Sequence, residues 1–329
     1  MGIYYCEVKK EGLIIMKCIE IDAGMYAVKA KCGDNKFYCR MLVAPLNECA
    51  TDNGYKVEYC NRIYMVGEES IPMNYDYDKK RIENKVATYL AISRFIEKEN
   101  EKVNVIIGMP LEHWLDRERR QEFENYFKSA LVKLKVTKGG EEKTISFGIN
   151  QIKAFPETIG HLYIPENQKK FANRTVGILD CGGCNFQGAI YRNMVPVKES
   201  CFTSNKGVNF YLDEVKRAIN NKFGTNYQIY QIDDLIKFGA IGDKKELIAE
   251  EIKKVTRNFL SGVFREAKAR NWMIEGLPVI ITGGGSCYFV EAIDELLRET
   301  TISNNEVWDN VDGFGEIGGI VYGRKEVTS

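Results

Sequence analysis

Apolar and polar residues alternate in short runs from about residue 14 to residue 66. Residues 14–21 form an apolar run that predicts a strand, and residues 26–30 and 37–43 predict two more, with Gly33-Asp34-Asn35 as the turn between them. Residues 45–53 read as a loop, and residues 56–59 and 62–66 read as a short strand pair around Cys60-Asn61. From Glu83 the rhythm lengthens to a helical one, with Val86, Leu90 and Phe95 on one face. Residues 103–107 are a continuous apolar run of the kind a buried strand shows, closed by Gly108-Met109-Pro110. Asp116 is placed as an N-cap, and Phe123, Phe127, Ala130, Leu131 and Leu134 predict a helix after it. Lys138-Gly139-Gly140 marks a turn before a strand at 144–147.

The second half repeats this grammar. Residues 175–179 predict a strand, and 186–191 with 194–197 predict a hairpin around Arg192-Asn193. A helix after Gly207 carries Val208, Tyr211, Leu212, Val215 and Ile219, and a longer one carries Ile248, Ile252, Val255, Phe259 and Val263. Residues 279–281 predict a strand, followed by a helix bearing Val290, Ile293 and Leu297. Each half therefore opens with a strand, a loop containing Asp and Gly, and a hairpin, then adds helices. The repeat is near half the chain, far above the ~20–50 residues of solenoid repeats.

Composition narrows the function classes. A chain of 329 residues has room for two domains. Its 46 Lys and Arg balance 46 Asp and Glu, which disfavours direct nucleic-acid or membrane-surface binding as the main activity and permits self-association. No apolar run approaches the ~20 residues of a membrane span, and the N-terminus lacks a signal-peptide pattern, so the expected location is cytoplasmic. The ten cysteines (Cys6, Cys18, Cys32, Cys39, Cys49, Cys60, Cys181, Cys184, Cys201 and Cys287) are scattered and read as reduced, packed thiols. Residues 1–15 carry no core pattern, and Met16 stands just before the first strand, so translation is expected to begin at Met16.

Three loops carry the chemistry. Asp22-Ala-Gly24-Met25-Tyr26-Ala-Val-Lys29, Asp180-Cys181-Gly182-Gly183-Cys184-Asn185 and Thr282-Gly283-Gly284-Gly285 each follow an apolar run. Successive backbone N–H groups in such turns attract phosphate oxygens, and glycine lets the backbone come close. Two loops facing each other would grip a polyphosphate from both sides. Asp22 and Asp180 would then converge on a hydrated Mg²⁺, which needs only one or two carboxylates beside phosphates and water. Lys29 is placed to reach β- or γ-phosphate oxygens. Met25 offers only its backbone N–H. Between the halves, Pro156-Glu157 fixes a carboxylate that can orient an attacking water; the same residues also suit an ordinary first helical turn.

In this order the motifs resemble the actin-like ATPase superfamily: an α/β fold with two duplicated domains around a nucleotide cleft. The resemblance runs from about residue 16 to 325 and covers the phosphate loops, the connecting Glu and the Thr-Gly-Gly adenosine loop. Asp22-x-Gly24 with Lys29, Pro156-Glu157, the Gly207-Val208 helix start and the short chain look most like the ParM-type plasmid-segregation actins. The implied domains are 16–165 plus 305–329, and 166–304, with 1–15 as an extension. The resemblance implies ATP or GTP with Mg²⁺ in the cleft, nucleotide-driven self-assembly into filaments, hydrolysis that destabilises them, and a DNA-binding adaptor as partner. It implies that Glu157 and Asp180 act on the attacking water and that Asp22 and Asp180 hold Mg²⁺ through water. Nucleotide contacts would come from Gly24, Met25, Tyr26, Lys29, Gly182, Gly183, Cys184, Asn185 and Gly207, and from Gly283, Gly284 and Gly285 under the adenosine. Glu250 and Lys253 would grip ribose and base.

The chain departs from the family pattern at Cys184 and Asn185, where Gly or Thr and then Thr are common, and at Gln187, where a second Asp is common. These departures bear on metal geometry and hydrolysis rate. Three other readings stay open: a small-molecule kinase of the same fold, a redox-linked ATPase using Cys181 and Cys184, and a non-hydrolysing scaffold.

Overall fold

A computed structural model describes residues 16–48, 53–68, 71, 79–273, 276–297, 300–302 and 307–323. Residues 1–15, and with them the expectation about Met16, lie outside the described residues.

The first half contains β1 (Cys18–Ala23), β2 (Ala27–Cys32), β3 (Asn35–Arg40), β4 (Val43–Pro45), β5 (Tyr55–Tyr59), β6 (Arg62–Val66), α1 (Ile82–Ser93), β7 (Glu101–Met109), α2 (Leu111–Trp114), α3 (Arg117–Phe127), β8 (Val132–Lys138) and β9 (Glu141–Pro156). Its strands form one sheet in the order β3-β2-β1-β7-β9-β8-β5-β6-β4. A turn at Glu157–Ile159, α4 (Gly160–Tyr163) and α5 (Pro165–Phe171) lead into the second half. There follow β10 (Thr175–Cys181), β11 (Phe186–Arg192), β12 (Val195–Pro196), β13 (Phe202–Ser204), α6 (Val208–Phe223), α7 (Ile229–Phe238), α8 (Lys245–Ala269), β14 (Val279–Thr282), α9 (Val290–Leu296), β15 (Thr300–Ile302) and α10 (Asp309–Tyr322). The second sheet runs β12-β11-β10-β14-β15, with β13 also paired to β11.

The repeat seen in the sequence is a repeat of topology. β1 pairs antiparallel with β2 and parallel with β7, which is parallel to β9. β10 pairs antiparallel with β11 and parallel with β14, which is parallel to β15. Central strands covered on both faces are mostly apolar, and Ile19, Ile21, Ile178, Leu179, Ile280 and Ile281 are all buried, with Glu20 and Asn104 as buried polar exceptions. Because β1, β7, β10 and β14 point the same way within their sheets, the three glycine loops sit at the carboxyl ends of β1, β10 and β14, where open α/β sheets bind ligands.

Each sheet has its own apolar core. A third cluster joins them, with Ile106 of β7, Leu162 of α4, Ile178 of β10, Ile280 of β14 and Phe314 and Ile317 of α10. Here α10 returns to the first half and packs on α4 and β1. The crossing is close enough to exclude side chains: a Cβ on Gly160 would meet the Cα of Asn310 at 2.5 Å, and one on Gly313 would run into the carbonyl of Gly160.

Two expectations are corrected. The helix after Asp116 ends at Phe127, and Leu134 lies on β8 rather than on that helix, with Ala130 and Leu131 between the two. The run Val132-Lys-Leu-Lys-Val-Thr-Lys138 alternates buried and exposed residues with a period of two, which is strand chemistry and overrides the helical spacing. The loop expected from residue 45 begins with the end of β4 and a single 3₁₀ turn at Leu46–Glu48. Helix α7 was not anticipated; it opens on a reciprocal Gln228–Gln231 capping box.

The close crossing gives a direct test. Gly313→Ala is expected to destabilise the fold by about 1–3 kcal/mol, the ordinary cost of overpacking. Gly262→Ala, with nothing within 4 Å of the added methyl, is expected to leave the melting temperature unchanged or raise it. Thermal unfolding of both variants decides; an unshifted Gly313→Ala protein would contradict the packing described.

Candidate functional site

The first loop leaves β1 at Asp22 and returns along β2 at Lys29. Those two residues face each other in the β1–β2 register. Their side chains form an ion pair at 2.6 Å, both nearly closed to solvent. Burial pushes the Asp22 carboxyl up, but the Lys29 and Lys79 ammonium groups outweigh it and hold it below the usual carboxylate range. The Lys29 ammonium is likewise pushed down by burial and raised on balance by Asp22, with further help from Asp180 and Glu157. Lys29, expected to meet phosphate, is engaged with Asp22 in this arrangement.

The second loop is held by its own backbone, Gly182 N–H donating to Asn185 C=O at 2.9 Å. Helix α6 begins directly behind it. The N–H groups of Val208 and Asn209 donate to the carbonyls of Gly182 and Gly183 at 3.1 and 2.9 Å, which satisfies two of the four free donors of the helix start. A Cβ at Gly207 would collide with the Cys184–Asn185 peptide, so glycine is required there by space alone. The third loop docks on the second: Gly285 N–H donates to Cys181 C=O at 2.9 Å. Gly283 has φ of +85°, a region that favours glycine, and a Cβ there would strike the Asp180 carboxylate. Gly284 is more open, meeting only Val307.

The first and second loops also touch each other. The ring of Tyr26 lies against Gly183, where a Cβ would come within 3.1 Å of it, and the Arg40 guanidinium stacks on the same ring at 3.9 Å from its centroid. The space around Gly24 is bounded by the Ala27 carbonyl and the Asp22 carboxylate.

Three carboxylates and two ammonium groups meet at the floor between these loops. Asp180, partly buried, is pushed up to about 7, first by burial and then by the charges of Asp22 and Glu157, with Lys29 and Asn310 acting against that. Asn310 also donates to Asp22 at 3.4 Å. Glu157 sits in the turn after Pro156 with one carboxylate oxygen on the Lys79 ammonium and the other accepting from the Gln187 amide at 2.8 Å. Gln187 in turn accepts the backbone N–H of Leu111 at 3.0 Å. Behind the third loop, Thr282 donates to Asp309 at 2.5 Å, and the same carboxylate oxygen lies 2.9 Å from Nδ1 of His161.

This floor suits a divalent cation. A carboxylate crowded by two others gains from one, yet the three are not spaced to chelate it, and among the described residues no group of three His, Cys, Asp or Glu could hold a metal by itself. A cation here would be completed by water and phosphate, as Mg²⁺ prefers.

Asp22, Asp180, Lys29, Glu157 and the glycine loops thus come together, together with Gly207. Glu250 and Lys253 do not join them. Both are exposed on α8, and Lys253 pairs with Glu295 at 2.8 Å. Lys79, Asn310 and Arg40 were not anticipated, because no local pattern marks them. Gln187, read as a lost charge, is a double hydrogen-bond partner. Lys79 also borders an open cavity of about 480 Å³ shared with His113, Asp116 and Arg119; no residue of the three loops lines it.

Cys181 and Cys184 are free thiols, as are the other described cysteines. Burial pushes the Cys184 thiol up to about 11 and Cys181 well above the ordinary range. Protonated, enclosed thiols are inert, which weighs against the redox reading.

Residues 21–160 match the family model described as actin like proteins, N terminal domain. The fold is actin-like. Solved structures agree over nearly the whole length. The Alp12 filament structure is 24% identical, with a TM-score of 0.69, covering 93% of this chain and 99% of that one. An archaeal actin homologue, Ta0583, is 14% identical with a TM-score of 0.77 over 93% and 99%, and its complex with ADP has a TM-score of 0.72 at 13% identity over 93% and 100%. A 15-stranded ParM filament from Clostridium botulinum is 19% identical with a TM-score of 0.70 over 93% and 100%. Among curated protein sequences none matches.

The raised Asp180 gives this actin-like floor a pH signature. The folded chain holds a proton on Asp180 up to about pH 7, whereas an unfolded Asp releases it near 3.9. Between those limits the native state binds more protons, so stability falls as pH rises. Glu20, pushed up to about 7 chiefly by burial, acts in the same direction. Thermal melts of the nucleotide-free protein should show a lower melting temperature at pH 8 than at pH 5. Asp180→Asn should reduce that difference; an equal difference in both proteins would contradict the assignment.

Proposed function

We propose that this chain is a nucleotide-driven, polymerising actin-like protein of the ParM type. It binds ATP or GTP with Mg²⁺ between two domains, residues 16–165 with 305–329 and residues 166–304. The observation that carries the reading is the convergence of Asp22, Asp180, Glu157 and Lys29 on one buried floor beneath three glycine loops, within an actin-like fold.

The roles follow from the chemistry. The N–H groups of the first two loops hold phosphate from opposite sides. Lys29 shares its charge between Asp22 and the phosphates. Asp22 and Asp180 would hold a Mg²⁺ through water, and the ion would supply positive charge against the phosphates. Glu157 accepts a hydrogen bond from the attacking water and orients it toward the terminal phosphate. Gly283 to Gly285 pass under the adenosine. The relatives' structures include filaments, and zero net charge sets little repulsion against self-assembly. By the same analogy the filament moves plasmid DNA through a separate DNA-binding adaptor in the cytoplasm. Among the described residues no helix is long and apolar enough to cross a membrane.

Light scattering after adding ATP–Mg²⁺ or GTP–Mg²⁺, followed by electron microscopy, tests the proposal. A rise in scattering with visible filaments, then decay as phosphate is released, is expected. Glu157→Ala should bind nucleotide and give longer-lived polymer, and Asp22→Ala should weaken Mg²⁺-dependent binding. No polymer over a wide concentration range, with nucleotide turnover only when a sugar or acid is supplied, would replace this reading with the small-molecule kinase. Polymer without phosphate release would replace it with the scaffold.

A further inference from the structure

Glu157 is held from both halves of the molecule. The Lys79 ammonium, just before α1, takes one carboxylate oxygen; the Gln187 amide, on β11 of the second sheet, takes the other at 2.8 Å. Lys79 and Gln187 are themselves almost completely enclosed. Gln187 has a second anchor in the first half, because its carbonyl oxygen accepts Leu111 N–H at 3.0 Å. Only one orientation of that amide satisfies both partners, since a backbone N–H must meet oxygen and a carboxylate must meet N–H.

We propose that Lys79 and Gln187 are positioning residues that clamp Glu157 in its water-orienting posture, and that the clamp couples hydrolysis to the relative placement of the two halves. This inference rests on the nucleotide-hydrolysing reading of the site. The clamp closes only where β11 stands close enough to α2 for Gln187 to bridge Leu111 and Glu157 at once. If the halves move apart, Glu157 keeps Lys79 and loses Gln187. The carboxylate then turns toward its remaining cation, away from the water it must hold. Phosphoryl transfer depends on positioning more than on covalent chemistry, so a small rotation of one carboxylate is enough to slow it. Gln187 belongs to none of the three loops and carries no charge, so its effect on hydrolysis is separable from binding. The amide has a further consequence. It leaves Glu157 facing one ammonium, with the carboxylate of Asp180 and the ammonium of Lys29 as the other charges that act around it.

Single-turnover phosphate release, with nucleotide affinity measured separately by fluorescence, tests the clamp on the full chain. Lys79→Met and Gln187→Leu should each lower the release rate by about tenfold or more, within the range general-base positioning supplies. For Gln187→Leu the nucleotide Kd should change by less than about threefold, a split that also certifies a folded site; Lys79→Met also removes a charge that acts on Asp22, so it is judged by its release rate at saturating nucleotide. Lys79→Arg, which keeps the cation, should recover most of the rate. Variants that release phosphate at the wild-type rate, or a Lys79→Arg protein as slow as Lys79→Met, would overturn the clamp while leaving the nucleotide reading intact. A wild-type protein that binds no nucleotide, or binds without ever releasing phosphate, would overturn the hydrolytic reading and the clamp with it.

Discussion

The ion pair between Asp22 and Lys29 sets the terms for everything around it. Both groups are closed to solvent, and two charges taken out of water must compensate each other closely or one of them neutralises. The pair is bonded at 2.6 Å, yet the floor it belongs to is not balanced. Asp180 and Glu157 add two carboxylates, and Lys79 adds one ammonium. With all five ionised the floor carries one excess negative charge. The excess falls on Asp180, the carboxylate with burial and two like charges against it, and its carboxyl is pushed up to about 7 as a result. A protein interior gains nothing from such a group for its own stability. A divalent cation held beside it would cancel that excess locally.

Glycine is what lets the loops surround that floor. At Gly207 and Gly283 a side chain would collide with backbone or with the Asp180 carboxylate, so those positions are fixed by space and not merely by turn preference. The same device recurs between α4 and α10, where Gly160 and Gly313 bring two helices to backbone contact. The hydrogen bond from Thr282 to Asp309, at the start of α10, ties this crossing to the third loop. The second and third loops therefore share one packed base.

How much of this was legible in the sequence follows from locality. Asp22, Asp180 and Thr282 each end an apolar strand and lead into glycine, and such a juxtaposition is written in consecutive residues. The duplicated order of strands was legible for the same reason. The end of α3 was misread because Leu134 satisfies a helical spacing from Phe127 as well as a strand spacing from Val132, and only pairing of β8 with β9 and β5 decides between them. Lys79 and Asn310 stood outside any pattern. They reach the floor from positions 57 residues beyond Asp22 and 130 residues beyond Asp180, through tertiary packing alone.

Gln187 shows how a substitution can change meaning once its neighbours are known. Read as a missing aspartate, it removes a negative charge from a metal site. In the structure an aspartate there would add a fourth carboxylate to a floor already in excess, next to the one that Glu157 presents. Two carboxylates that close share a proton, and a Glu157 so engaged would no longer be free to accept from water. The amide avoids this: it donates to Glu157 and accepts from Leu111, two bonds that a short ionised carboxylate cannot supply together. With Lys79 on the opposite oxygen, the loss of one acidic side chain is answered by two contacts that hold another in place. The least typical position of the second strand pair is thus consistent with an intact hydrolytic site, built with a different partition of charge.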